Sequence, residues 1–181
     1  MGGVAASAAI GITSKLNGFT MLPPMSFSAA IAAMVAQNMG AGKPKRARST
    51  MYSGLSISLG FGAATFIGLF FFPQSVIRIF TPDRELIEAT ALYLKSFSAD
   101  CILVCFVFCL NGFFNGCGKT AFTMANNIFS AFAVRVPATW ILSGIEGASL
   151  FSVGFAAPLA SLQTIVFSLW YLKSGRWKRG R

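Results

Sequence analysis

The chain has no histidine, only five carboxylates in 181 residues, and a total of 11% charged side chains. An average soluble domain carries about 25% charged residues, and so few cannot cover a water-soluble fold. Without histidine, and with no serine in a nucleophile motif, no catalytic set can be assembled, and an enzyme is not expected. Zinc and thiol chemistry fail on the same shortage. The four cysteines include Cys101, Cys105 and Cys109 in a row on one apolar helix face, where stacked thiols act as small packing groups and are poorly placed for a disulfide. Residues Met1 to Ile10 contain neither a charged leader nor a cleavage site, so no signal peptide is read there.

What is present is apolar: 55% hydrophobic residues, 19 of them Phe, and a mean hydropathy of +0.66. These residues come in long runs, which require lipid as their solvent. About 20 apolar residues cross a bilayer as a helix, and five stretches qualify: about 14–38, 53–79, 93–115, 120–142 and 153–172. The expected fold is an all-α integral membrane protein, a polytopic helix bundle. Pro23 and Pro24 should kink the first span, and Pro158 lies close to the start of the fifth.

The net charge of +10 does not indicate a nucleic-acid partner, because the cations form blocks between the spans rather than a polar face with interleaved aromatics. Lys43, Lys45, Arg46 and Arg48 follow span one, Lys119 follows span three, and Lys173, Arg176, Lys178, Arg179 and Arg181 follow span five. With five spans these blocks share one side, free of acid, while Asp83, Glu85, Glu88 and Glu146 fall on the other. The positive-inside rule makes the loop 41–50 and the C-terminus cytoplasmic. Trp170, Tyr171 and Trp177 are read as interfacial anchors on that side, and Trp140 on the opposite one. Five spans put the N-terminus outside, as in a chain that begins in mid-pattern.

Charge inside a span is costly and calls for an explanation. Lys15, Asp100 and Arg135 fall at one depth, in the outer third. Two readings follow: a proton-sensitive cluster in which protonation of Asp100 biases the helices, or a permanent Asp100–Arg135 pair with Lys15 snorkelling to the outer headgroups. Amides are plentiful: Asn17, Gln37, Asn38, Asn111, Asn115, Asn126, Asn127 and Gln163. They can bond between helices or line a wet cavity; Asn17, Asn111, Asn126 and Asn127 are the candidates for a cavity between spans one, three and four. Gly112 and Gly116 form a GxxxG step suited to close helix approach. The run Gly116-Cys117-Gly118-Lys119-Thr120 lacks phosphate-loop spacing and reads as a tight turn.

Two runs carry a family resemblance. MVAQNMGAGKPKRAR (Met34 to Arg48) and GFFNGCGKTAFTMANNIFSAFAVRVPATWIL (Gly112 to Leu142) resemble a second helix with its basic turn, and a fourth helix, turn and fifth helix, of a lobe of the multidrug and toxic compound extrusion (MATE) transporters. The stretch LNGFTMLPPMSFSAAIAAMVAQN and the short basic tail resemble the C-terminal lobe. The resemblance implies that residues 1–181 are part of that lobe, the five spans being helices eight to twelve of a twelve-helix transporter in the plasma (inner) membrane. The N-terminal lobe would be a missing partner. It also implies efflux of cationic amphipathic drugs by antiport with protons or sodium, and no cofactor. Sodium-coupled members carry an acid in the tenth helix where this chain has Val104, one turn from Asp100, so protons are the expected coupling ion. A flippase for lipid-linked oligosaccharide shares the architecture but calls for a cation-rich cavity; a structural membrane subunit is the other alternative.

Overall fold

The structure, a computed structural model, describes residues 3–79, 81, 83–143 and 156–178. Among them there is no strand. The helices are α1 (Gly3–Gly40), α2 (Pro44–Phe71), a short α3 (Pro73–Arg78), α4 (Arg84–Gly116) and α5 (Thr120–Phe129). A π-helical stretch (Ser130–Arg135) then carries α5 into α6 (Val136–Ser143), and α7 (Ala156–Lys173) and a 3₁₀ turn (Arg176–Lys178) follow. By length and composition, residues Ser14–Gly40, Pro44–Phe71 and Ser98–Gly116 are long and apolar enough to cross a membrane. The fourth expected span is the broken rod of α5, π-helical stretch and α6. The fifth is α7, with residues 153–155 of its expected range outside those described.

Both expected boundaries of the second span move, and the first and third helices begin earlier than expected, at Gly3 and Arg84. The second span begins at Pro44 rather than near residue 53, so the basic loop 41–50 shrinks to a turn at 41–43. Pro44 at the first helical position presets φ, and Lys45, Arg46, Ala47 and Arg48 are good helix formers, so the charged block winds as helix. The same span ends at Phe71, not 79, because the Pro73 ring clashes with the carbonyl of Leu69 if the helix continues. In α1, by contrast, Pro23 and Pro24 sit within an unbroken helix.

Buried residues make up 56% of the α4 span but 17% of the spans of α1 and α2, which identifies α4 as the centre of the bundle. It packs on α1, α2, α3, α5 and α7. Against α1 the seam is made of small residues: a Cβ on Gly112 would strike the Ser28 backbone, and one on Gly116 would lie 2.5 Å from the Ala32 carbonyl oxygen. The pairs 112/28 and 116/32 rise together, so α1 and α4 are parallel. The GxxxG step thus serves the close approach expected of it. Against α2, Gly62 meets Cys105, and Cys101, Cys105 and Cys109 are free and buried, acting as the packing row their spacing indicates.

The helices α1, α4 and α7 run in one direction and end alike. Each is stopped by a glycine with positive φ, Gly42 (69°), Gly118 (73°) and Gly175 (70°), followed by Lys43, Lys119 and Arg176. In the first two turns the hydrogen bonds repeat: Lys43 N–H to Asn38 O and Lys119 N–H to Phe114 O, both 2.8 Å, with Gly42 to Met39 and Gly118 to Asn115, both 3.0 Å. Only glycine adopts this left-handed cap cheaply, and the cation after it favours the negative helix end. The GCGK run is therefore a helix stop, as its turn reading holds. At this end Phe114, Phe122 and Tyr171 tie α4, α5 and α7 together, with Phe122 and Tyr171 stacked at 4.0 Å. Trp177 is not the interfacial anchor expected. The Gly175 turn folds it back onto Phe113 (4.9 Å), where it is 2% exposed and donates to Leu172 O at 3.0 Å. Trp170 and Trp140 remain exposed.

Candidate functional site

The arms α1–α2 and α5–α7 lie on opposite flanks of α4, and at the end away from the glycine caps they leave a cavity of about 280 Å³ between them. Its walls are Asn17 and Met21 of α1, Asp100 and Val104 of α4, Asn127, Ser130 and Arg135 of the broken rod, and Ser161 and Thr164 of α7, among others.

Asp100 is 4% exposed and accepts a hydrogen bond from Ser161 Oγ at 2.6 Å. A carboxylate this deep in an apolar bundle is expensive unless paired or hydrogen-bonded, and Ser161 supplies one such bond. Arg135 stands on the same cavity wall, near enough to attract the carboxylate electrostatically. The direct Asp100–Arg135 pair considered from the sequence is replaced by the Ser161 contact. Arg135 ends the π-helical stretch, where Val136 N–H reaches Ala131 O, five residues back. Pro137 accounts for the wider turn: it has no N–H, and its ring would collide with the Ala133 carbonyl in a tight one. The turn re-aims residue 135 relative to a regular helix. Lys15 is exposed and stands apart from the cavity wall, in the position of a side chain reaching for the surface.

The four candidate amides divide. Asn17 and Asn127 line the cavity, and Asn111 donates to Asn127 Oδ1 at 3.4 Å. Asn126 instead turns away into α7. It is 4% exposed, donates to Thr164 O (3.1 Å) and Ser168 Oγ (3.3 Å), and accepts from Gln163 Nε2 (3.2 Å). Adjacent residues on a helix are about 100° apart, so Asn126 and Asn127 cannot both face one cavity. Ser130 continues the glue by donating to Ala160 O at 2.8 Å. The oxygen of Asn17 is buried without a hydrogen-bond partner among the described residues, as is that of Asn111. An orphaned acceptor costs about 1–3 kcal/mol, so a cavity with Asn17 Oδ1 and the Asp100 carboxylate on its wall favours contents that donate hydrogen bonds or carry positive charge.

Sequence reasoning missed Ser161, Thr164 and Ser168. Their spacing of three and four residues on a mostly apolar helix was the available signal, because it lines hydroxyls along the α7 face that meets α4 and α5.

Helices long and apolar enough to cross a membrane thus pack around a cavity that holds a buried acid. The MatE family model matches residues 1–141, and the chain belongs to that family. It is similar to the probable multidrug resistance protein NorM of Thermotoga maritima, at 26% identity over 91% of this chain and 36% of that protein. Protein DETOXIFICATION 49 of Arabidopsis thaliana is 26% identical over 90% of the chain and 33% of its own length. The FAD transporter of Shewanella oneidensis is 32% identical over 49% of the chain and 20% of its length. Among solved structures, an inward-facing multidrug resistance MATE family transporter of the MOP superfamily superposes with a TM-score of 0.85 at 18% identity, covering 93% of this chain and 38% of that one. The expected all-α membrane bundle of MATE architecture is thereby borne out. The match spans about a third of the length of NorM, DETOXIFICATION 49 and the solved transporter, and a fifth of the FAD transporter.

Proposed function

We propose that the chain supplies part of the C-terminal lobe, helices eight to twelve, of an efflux transporter that exports cationic amphipathic solutes in exchange for protons. The observation that carries this reading is Asp100, buried on the wall of a cavity that also presents the unpartnered acceptor Asn17 Oδ1. A deprotonated Asp100 attracts a cation, and a protonated one releases it. Arg135 opposes a second positive charge, so cation and proton compete for one carboxylate. Val104, on the same wall, offers no oxygen to a sodium ion. A single arginine there is few cations for the pyrophosphate of a lipid-linked oligosaccharide.

The basic helix ends face the cytoplasm in this reading, supported by the cations that follow all three glycine caps. The substrate path needs a second lobe, and purified chain on its own is expected to be inactive; drug export by monomer in liposomes would overturn that. The coupling is tested in the full-length protein, in inverted vesicles, with a cationic dye. Addition of dye should release protons from preacidified vesicles, and Asp100→Asn should abolish both the release and the pH dependence of export. An unchanged pH profile in Asp100→Asn refutes the role of Asp100. Export of FAD in place of the dye would transfer the reading to an anionic solute held by Arg135.

A further inference from the structure

A second concavity lies at the opposite end of the bundle, in the groove between α1 and α2, with a volume of about 420 Å³. Its chemistry is the reverse of the first. It holds no carboxylate, and no acidic residue occurs in the chain before Asp83. Arg46, Ser49 and Ser53 lie along α2 at its basic end, spaced three and four residues apart so that they share one face. Met34 of α1 stands level with the serines, and deeper in the walls are Phe27 of α1 and Ile57 of α2. At the floor the helices come close, since a Cβ on Gly54 would lie 2.6 Å from the Ile31 side chain.

The two nearby arginines differ. Arg48 is committed to Tyr52, donating to its hydroxyl at 2.9 and 3.2 Å and standing 5.5 Å from its ring centre. The Arg46 guanidinium has no hydrogen-bond or ion-pair partner among the described residues, and Arg46 contributes to the groove wall. From Arg46 to Ile57 the helix rises roughly 16 Å at 1.5 Å per residue, about half of the ~30 Å hydrocarbon thickness. The groove is thus one leaflet deep, cationic and hydroxylated at the headgroup level, and apolar below.

We propose that this groove binds one anionic phospholipid of the leaflet on the basic side. Its phosphate is met by Arg46 with the hydroxyls of Ser49 and Ser53, and one acyl chain lies along Phe27, Met34 and Ile57. A basic pocket between transmembrane helices is the usual form of such a site. Charge separates it from the first cavity: a cationic solute is repelled by Arg46 and by the neighbouring Lys43 and Lys45, whereas a phosphate is attracted. The site depends on α1 and α2 spanning the membrane and not on the transport reaction.

The test is titration of the full-length protein in mild detergent with phosphatidylglycerol and with phosphatidylcholine, counting retained lipids by native mass spectrometry. Phosphatidylglycerol should bind at least about fivefold more tightly, the weight of one basic side chain at an anionic headgroup. Arg46→Gln should remove that preference, and Arg48→Gln should keep it. Ala30→Phe, which fills the groove without changing charge, should weaken retention of both lipids. Equal affinity for the two lipids in the parent protein refutes the proposal. So does an equal loss in Arg46→Gln and Arg48→Gln, which would mean diffuse surface charge. It is also refuted if Ala30→Phe leaves lipid retention intact, or disrupts lobe assembly instead, which would mean that protein occupies the groove.

Discussion

Gly112→Ala adds one methyl group where the chain has no room for it. The new Cβ would strike the Ser28 carbonyl oxygen and lie 3.0 Å from Ser28 Cα and from Ser28 Oγ. Non-bonded carbons rest about 3.5–4.0 Å apart, so α1 has to withdraw by roughly 0.5–1 Å along the whole parallel seam. Overpacking of this kind costs about 1–3 kcal/mol. The strain cannot be taken up by a flexible side chain, because two of the opposing atoms belong to backbone. Gly60→Ala is the matched control: nothing lies within 4 Å of its would-be Cβ, and replacing a helical glycine by alanine gains about 0.5–1 kcal/mol. The assay is thermal unfolding of the full-length protein in detergent, followed by thiol-reactive fluorescence of the buried Cys101, Cys105 and Cys109. Gly112→Ala should lower the midpoint by several degrees while Gly60→Ala leaves it level or raises it. Equal shifts for the two variants would refute the close-contact seam.

Asn126→Leu should destabilise the chain by about 2 kcal/mol, three interhelical hydrogen bonds at roughly 0.6 kcal/mol each, whereas Asn127→Ala, which loses one long bond from Asn111, should cost at most about 0.6 kcal/mol and weaken dye binding; comparable unfolding midpoints for the two would contradict the division of the amides. Burial pushes the Cys117 thiol up to about 11, partly offset by the Lys119 charge. Because the folded value is raised above the ordinary value of 9.0, its stabilising contribution is complete below pH 9 and is lost as pH rises towards 11. Maleimide labelling of Cys117, with the three span cysteines replaced by alanine, should accelerate about tenfold per pH unit from 8 to 10; a plateau near pH 9 would mean an ordinary surface thiol.

Bilayer thickness alone made the apolar helical character of the spans legible, and the blocks of Lys and Arg made their common end legible. Helix boundaries were not, because Lys45, Arg46 and Arg48 are polar enough to look like loop and yet wind well as helix. Asp100 announced itself because one carboxylate in an apolar run has few explanations. Its partner did not, since Ser161 is one hydroxyl among many, and contact with α4 depends on the rotation of α7. The misassignment of Asn126 has the same origin: two adjacent amides look alike in sequence, and only the neighbour on each side tells glue from wall. Trp177 was misread because its burial follows from a backbone reversal at Gly175, beyond the last span.

The placement of α4 between two arms that touch each other little has a mechanical meaning. It acts as the spine of a book whose covers are α1–α2 and α5–α7, with Asp100 set on the spine near the open edge. The aromatic contacts at the glycine-capped end bind the α5–α7 cover to the spine. Whatever enters between the covers near Asp100 touches both at once, Asn17 on one and Asn127, Arg135 and Ser161 on the other.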